Sequence, residues 1–197
     1  MFYHNLITQK SWNELIKLKK SSNFVLIGGW AVYLYARTLK SKDIDILVEY
    51  GQLSNLRKTY EVSKNERLKK YEARRGEVQI DIYLPHYSSI GIPVEDLIRE
   101  SISLEGFTVL KKEWLIALKL VTLAERGRTP KGQKDFLDLL SLISSGFDSA
   151  KISKILEKYK LSSVWLFFKT LLDQSVEIPE LNLNRHLYKK LKHKILF

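Results

Sequence analysis

The chain has 197 residues, and 33 Lys+Arg against 22 Asp+Glu give it a formal net charge of +11. That length suits one domain or two small ones, since domains cluster at roughly 100–150 residues, and 45% apolar with 28% charged residues is the composition of a folded globular protein. The sequence has no Cys, which excludes disulfides, thiolate catalysis and Cys-ligated zinc; with no apolar run near the roughly 20 residues of a membrane span and no signal-peptide core, we expect a cytoplasmic protein without a membrane partner.

In chain order, residues 11–20 have helical spacing, with Ser11 as the expected N-cap and Glu14 completing a capping box. Residues 23–27 form a short apolar run that Gly28-Gly29 ends in a tight turn, as a buried strand would, and a helix is expected from Trp30 to about Leu39. Residues 43–50, DIDILVEY, alternate polar and apolar like a strand with one face on a core. Residues 68–74 and 77–84 flank Arg75-Gly76 and read as a hairpin. A helix over 93–100 and a short strand at 108–110 complete this part.

From residue 111 the pattern becomes helical throughout, over 114–126, 133–143, 149–158, 162–174 and 179 to about 194. We therefore expect an α+β fold, a mixed β-sheet flanked by helices over 1–110, followed by a C-terminal helical bundle over 111–197. The charge divides with it: residues 1–110 hold 16 basic and 13 acidic residues, and residues 111–197 hold 17 and 9. Five basic residues and no acid lie between Arg185 and Lys194, and another basic group comprises Lys64, Arg67, Lys69, Lys70, Arg74 and Arg75. Such fields concentrate phosphate-bearing partners, although a solvated Lys-rich surface has the same composition.

The chemistry-bearing residues lie in the first part. Residues i and i+2 of a strand share a face, so Asp43 and Asp45 place two carboxylates side by side while Ile44, Ile46 and Val48 enter the core. Hard oxygen donors at this spacing suit Mg²⁺, which is commonly held by one or two carboxylates together with substrate phosphates. On 77–84, Val78, Ile80, Ile82 and Leu84 take one face and Gln79, Asp81 and Tyr83 the other. If that strand lies beside 43–50, Asp81 joins the pair, three acids hold two metal ions, and Asp81 assists deprotonation of an attacking hydroxyl. Gly28 and Gly29 let the backbone approach a triphosphate at the start of the Trp30 helix. Singly, a diglycine is usually a turn and Asp-x-Asp usually solvated strand surface; the order of all of them is more specific.

IGGWAV (27–32), KDIDILV (42–48) and QIDIYL (79–84) together resemble the DNA polymerase beta-like nucleotidyltransferase superfamily. The resemblance implies that Gly28 and Gly29 contact the nucleotide phosphates, that Asp43 and Asp45 bind two Mg²⁺ ions, and that Asp81 shares one metal and activates the acceptor hydroxyl. Residues 115–140 resemble the segment that follows the catalytic domain in AbiEii-like toxins, with Lys119-Leu120 and Lys134-Asp135-Phe136-Leu137-Asp138 filling its pattern. By that resemblance Lys119 reaches a nucleotide phosphate and Asp135 helps order the site; the alternative is that Lys119 pairs with Asp135 or Asp138 across two helices. The sequence departs from those toxins in having Gly28-Gly29 for Gly-Ser and Gly132 where Arg is frequent, and Gly-Gly-Trp is closer to antibiotic nucleotidyltransferases.

The resemblance implies a transferase that moves a nucleoside monophosphate from an NTP such as ATP to a hydroxyl on RNA (tRNA-like) or protein, with an antitoxin as a further partner. The alternatives are a small-molecule, antibiotic-type nucleotidyltransferase and a non-catalytic NTP-binding module. His4, His86, His186 and His193 show no ligand spacing, and Trp114, Trp165, Phe167 and Phe168 are expected in the core.

Overall fold

The computed structural model describes residues 2–175, 178–181 and 185–196, and the chain divides into two compact units, Met1–Lys111 and Lys112–Phe197. In the first unit the elements run α1 (Phe2–Ser21), β1 (Val25–Ile27), α2 (Gly28–Ala36), β2 (Ile44–Leu47), α3 (Tyr50–Arg57), β3 (Glu61–Asn65), β4 (Lys70–Arg75), β5 (Val78–Tyr83), α4 (Val94–Arg99), β6 (Ser101–Leu104) and β7 (Phe107–Leu110). The seven strands form one mixed sheet in the order β3-β4-β5-β2-β1-β7-β6. β2 runs parallel to β5 and β1 parallel to β7, while the other neighbours are antiparallel. The fold is α+β, as expected.

The alternation read from the sequence determines what the sheet buries. Ile44, Ile46, Ile80 and Ile82 are all fully covered, and burial of each such side chain is worth about 1.5–3 kcal/mol. Val78, Ile80, Ile82 and Leu84 are buried while Gln79, Asp81 and Tyr83 are half-buried, so β5 presents the two faces its period demands.

Helix α1 departs from expectation. It begins at Phe2, which puts Ser11 and Glu14 in its interior. Ser11 Oγ accepts from the Trp30 indole N–H at 2.8 Å, and Glu14 Oε1 accepts from the Tyr60 hydroxyl at 2.8 Å. These polar side chains are buried against partners 19 and 46 residues away, so no cap forms there. Burial, then the bond to Glu14, raises the Tyr60 pKa above its ordinary value. Helix α2 is also displaced, starting at Gly28 and closing at Arg37 in the left-handed region.

The second unit comprises α5 (Lys112–Arg126), α6 (Pro130–Ser144), α7 (Ser149–Lys158), α8 (Ser162–Gln174), a 3₁₀ turn at Pro179–Leu181 and α9 (Arg185–Leu196). The last expected helix is thus divided, and its residues 182–184 lie outside the described ones. Thr129 caps α6, accepting from the Gly132 N–H, with Pro130 in its first turn. Leu115, Ile116, Leu120, Leu139, Leu140 and Phe168 are among the buried apolar side chains. Trp114, Trp165 and Phe167 are only half-buried, so Phe168 alone of the four expected core aromatics is fully covered.

Candidate active site

The centre of the sheet assembles the residues singled out by sequence. β1 and β2 are in register with Ile27 opposite Asp45, and β2 and β5 with Asp45 beside Asp81. Gly28, next along the chain from Ile27, has φ +65°, and a Cβ there would run into the Asp45 carboxylate, 2.6 Å from Cγ and 2.7 Å from Cβ. Absence of a side chain at Gly28 is what lets the Asp45 carboxylate lie against the first residue of α2. Gly29 is buried in that first turn, which no side chain caps. Asp45 is half-buried, whereas Asp43 precedes β2 and is exposed.

Asp81 is held from both sides. Its Oδ2 accepts from the Lys70 ammonium at 2.5 Å and its Oδ1 from the Gln79 amide at 2.8 Å. Lys70 reaches Asp81 because β4 pairs with β5, placing Glu72 opposite Asp81, and the same ammonium lies 3.2 Å from Glu72 Oε1. The Asn65 amide donates to that oxygen at 2.8 Å, and Asn65 together with Lys70 holds the Glu72 carboxyl below its ordinary pKa.

For Mg²⁺ the donor set fits in part. Asp43 and Asp45 are the hard oxygen donors that this ion takes alongside substrate phosphates. Asp81 lies beside Asp45 in the strand register, with Lys70 and Gln79 on its two oxygens, and among the described residues no group of three or more His, Cys, Asp or Glu is gathered closely enough to hold a metal ion. Sequence reasoning missed Lys70 and Gln79. Gln79 was legible, two residues before Asp81 on the same strand face; Lys70 was not, because its run of basic neighbours reads as surface.

That basic group is mostly neutralised. Besides Lys70, Lys64 and Lys69 pair with Glu66, and Arg75 with Glu14. His86 pairs with Glu95 at 3.3 Å and is exposed.

In the second unit Lys119 lies between α5 and α6. Its ammonium donates to Asp135 Oδ1 at 2.8 Å and to Asp138 Oδ2 at 2.6 Å, while Arg126 donates to Asp135 Oδ2 at 2.7 Å. Burial works hardest on this lysine and favours the neutral amine, but Asp138 and Asp135 together outweigh it and raise the pKa. Asp138 Oδ1 is buried with no hydrogen-bond partner among the described residues. The helix-pair alternative is what the structure contains, with Arg126 as an added partner. Gly132 has a local reason: a Cβ there would meet the Gly127 backbone, 2.9 Å from its carbonyl carbon.

The first unit has the mixed, helix-flanked sheet of nucleotidyltransferase-type folds. Among solved structures the chain is similar to JHP933 from Helicobacter pylori, at 19% identity over 96% of this chain and 92% of that one, with a TM-score of 0.52. It is similar to a candidate nucleotidyltransferase from H. pylori at 18% identity, 96% and 95% coverage and a TM-score of 0.53. A third likeness is ANT(2")-Ia in complex with adenylyl-2"-tobramycin, at 14% identity, covering 81% of this chain and 98% of that one, with a TM-score of 0.52. At these identities the likeness is one of fold. No protein-family model and no curated protein matches the chain. No helix among the described residues is long and apolar enough to cross a membrane.

Proposed function

We propose that the chain is a metal-dependent nucleotidyltransferase, which moves a nucleoside monophosphate from an NTP to a hydroxyl acceptor. The observation that carries this reading is the Asp45 carboxylate seated against Gly28 at the start of α2 and beside Asp81 on β5. The first-turn amides at Gly28 and Gly29 receive the triphosphate, since uncapped N–H groups and the helix dipole favour negative charge. Asp43 and Asp45 would hold Mg²⁺ with the phosphates, and the ion would neutralise charge on the phosphate oxygens. Asp81 accepts the proton of the acceptor hydroxyl. The acceptor oxygen bonds to the α-phosphorus as the bond to the pyrophosphate oxygen breaks, a reaction that needs positioning and charge more than covalent help.

The favoured acceptor is RNA. The helical unit carries most of the excess positive charge, and Lys189 and Lys190 on α9 are exposed. Lys119 and Asp135 serve this reading by fastening α5 to α6. The fold likeness to a protein complexed with an adenylylated tobramycin supports a second acceptor class, a small polyhydroxylated molecule. The test is incubation of the full chain and Mg²⁺ with each α-labelled NTP and total RNA, in parallel with aminoglycosides and lincosamides. Label on RNA with release of pyrophosphate is expected; label on an antibiotic alone defeats the RNA acceptor, and none anywhere defeats the enzyme.

A further inference from the structure

Strand pairing lays the polar face of the sheet out in rows. Asp45 of β2 lies beside Asp81 of β5, which is opposite Glu72 of β4 and then Ser63 of β3. One row toward the start of β2 come Asp43, just before Ile44, then Gln79, Arg74 and Glu61. Ala73, fully covered opposite Ile80, belongs to the other face, so Arg74 next to it points out with the acids. Arg74 is exposed, and after Asn65 and Lys70 its charge also helps to hold the Glu72 carboxyl below its ordinary pKa. Lys70, the other cation of β4 on this face, is engaged with Asp81 and Glu72. Arg74 forms no ion pair among the described residues, not even with Glu61 across from it.

We propose that Arg74 is the acceptor-binding residue of the site and that it takes a phosphodiester of an RNA acceptor. This rests on the nucleotidyltransferase reading and names which of its two acceptor classes the face fits. In that reading the triphosphate lies at Gly28 and Gly29, on the β1 side of Asp45, and the sheet continues from β2 through β5 to β4 on the other side. The entering and leaving oxygens of a phosphoryl-type transfer are roughly in line, so the acceptor comes in over β5 and β4. Arg74 and Asp81 are diagonal neighbours on paired strands, about 7–8 Å apart and within reach of long side chains. That is the scale of a single nucleotide, with its hydroxyl at Asp81 and its phosphate at Arg74. Asp81, Glu72 and Glu61 repel a polyanion that approaches this face, and a guanidinium holds a phosphate by two parallel N–H bonds and offsets that repulsion. A polycationic aminoglycoside gains nothing from an arginine there.

The test is equilibrium binding of the full chain to two probes, a fluorescein-labelled oligouridylate and a fluorescent non-hydrolysable ATP analogue with Mg²⁺, over a range of salt. Arg74→Gln is expected to bind the oligonucleotide about tenfold more weakly, the loss of one hydrogen bond to a charged group. Its plot of log K against log salt should flatten by about 0.7, the share of one phosphate contact on a single strand. Its affinity for the ATP analogue should equal that of the wild type. Arg74→Lys should keep the wild-type slope, and so should Lys20→Gln, an equal loss of charge in the last turn of α1. An unchanged slope in Arg74→Gln overturns the proposal, as does the same flattening in Lys20→Gln or an equal weakening of both probes by Arg74→Gln. A wild type that binds the ATP analogue but no oligonucleotide overturns the RNA site and leaves the nucleotidyltransferase reading standing. A wild type that binds the oligonucleotide but not the analogue defeats that reading, and the acceptor role with it.

Discussion

Lys70 in the sheet and Lys119 in the helical unit each bridge two carboxylates, and the two lysines are covered alike, at 9% and 10% side-chain exposure. Their acids differ. Asp135 and Asp138 are 2% and 0% exposed, whereas Glu72 and Asp81 are 15% and 14% exposed, next to the half-buried Asp45 and the exposed Asp43. Where solvent is shut out, the ions hold helices together; under the proposed function, the acids that solvent reaches are those that would meet a phosphate or an acceptor.

The comparison breaks most visibly on stability. Lys119→Met should destabilise the chain by about 3–5 kcal/mol in denaturant unfolding, because it leaves Asp138 buried without a counter-charge and Asp135 with Arg126 alone. Lys70→Met should cost only about 1–3 kcal/mol, since water can reach Glu72 and Asp81. Equal losses would make both clusters structural.

Gly28→Ala sharpens the sheet side. A side chain there meets the Asp45 carboxylate on a backbone with φ +65°, and the strain should cost about 1–3 kcal/mol and lower nucleotide affinity. An alanine variant with wild-type melting and NTP affinity would show that the close approach is dispensable.

The smallest effect is alkaline. The Tyr60 pKa is raised in the folded chain, so its contribution is complete below the unfolded value near 10 and is lost as pH rises above it. Tyr60→Phe should lose about 1 kcal/mol at neutral pH and show a shallower fall in stability above pH 10. Identical slopes for the two proteins would contradict the buried Tyr60–Glu14 bond.

Much of the fold was legible because its core elements are periodic: β2, β5 and the helices of the second unit follow their apolar spacing. The unpredicted strands β3 and β6 are the two edges of the sheet, where EVSKN and SISL face solvent and carry little alternation. Helix α3, YGQLSNLR, buries only Leu53 and Leu56. The pairing of Asp45 with Asp81 followed from the two strands lying together. The partners of Ser11 and Glu14 could not be assigned by local pattern, since the bonds that bury them span 19 and 46 residues. Lys70 was hidden for a different reason: a lysine among five other basic residues carries no mark of burial.

The central claim is that chemistry belongs to the solvent-reached acids of the sheet and architecture to the sealed acids of the helices. Pyrophosphate release measured on Asp45→Asn and Asp135→Asn, each at a temperature where circular dichroism shows it folded, tests that directly. The account predicts no release from Asp45→Asn and substantial release from folded Asp135→Asn. A folded but inactive Asp135→Asn beside an active Asp45→Asn would contradict it.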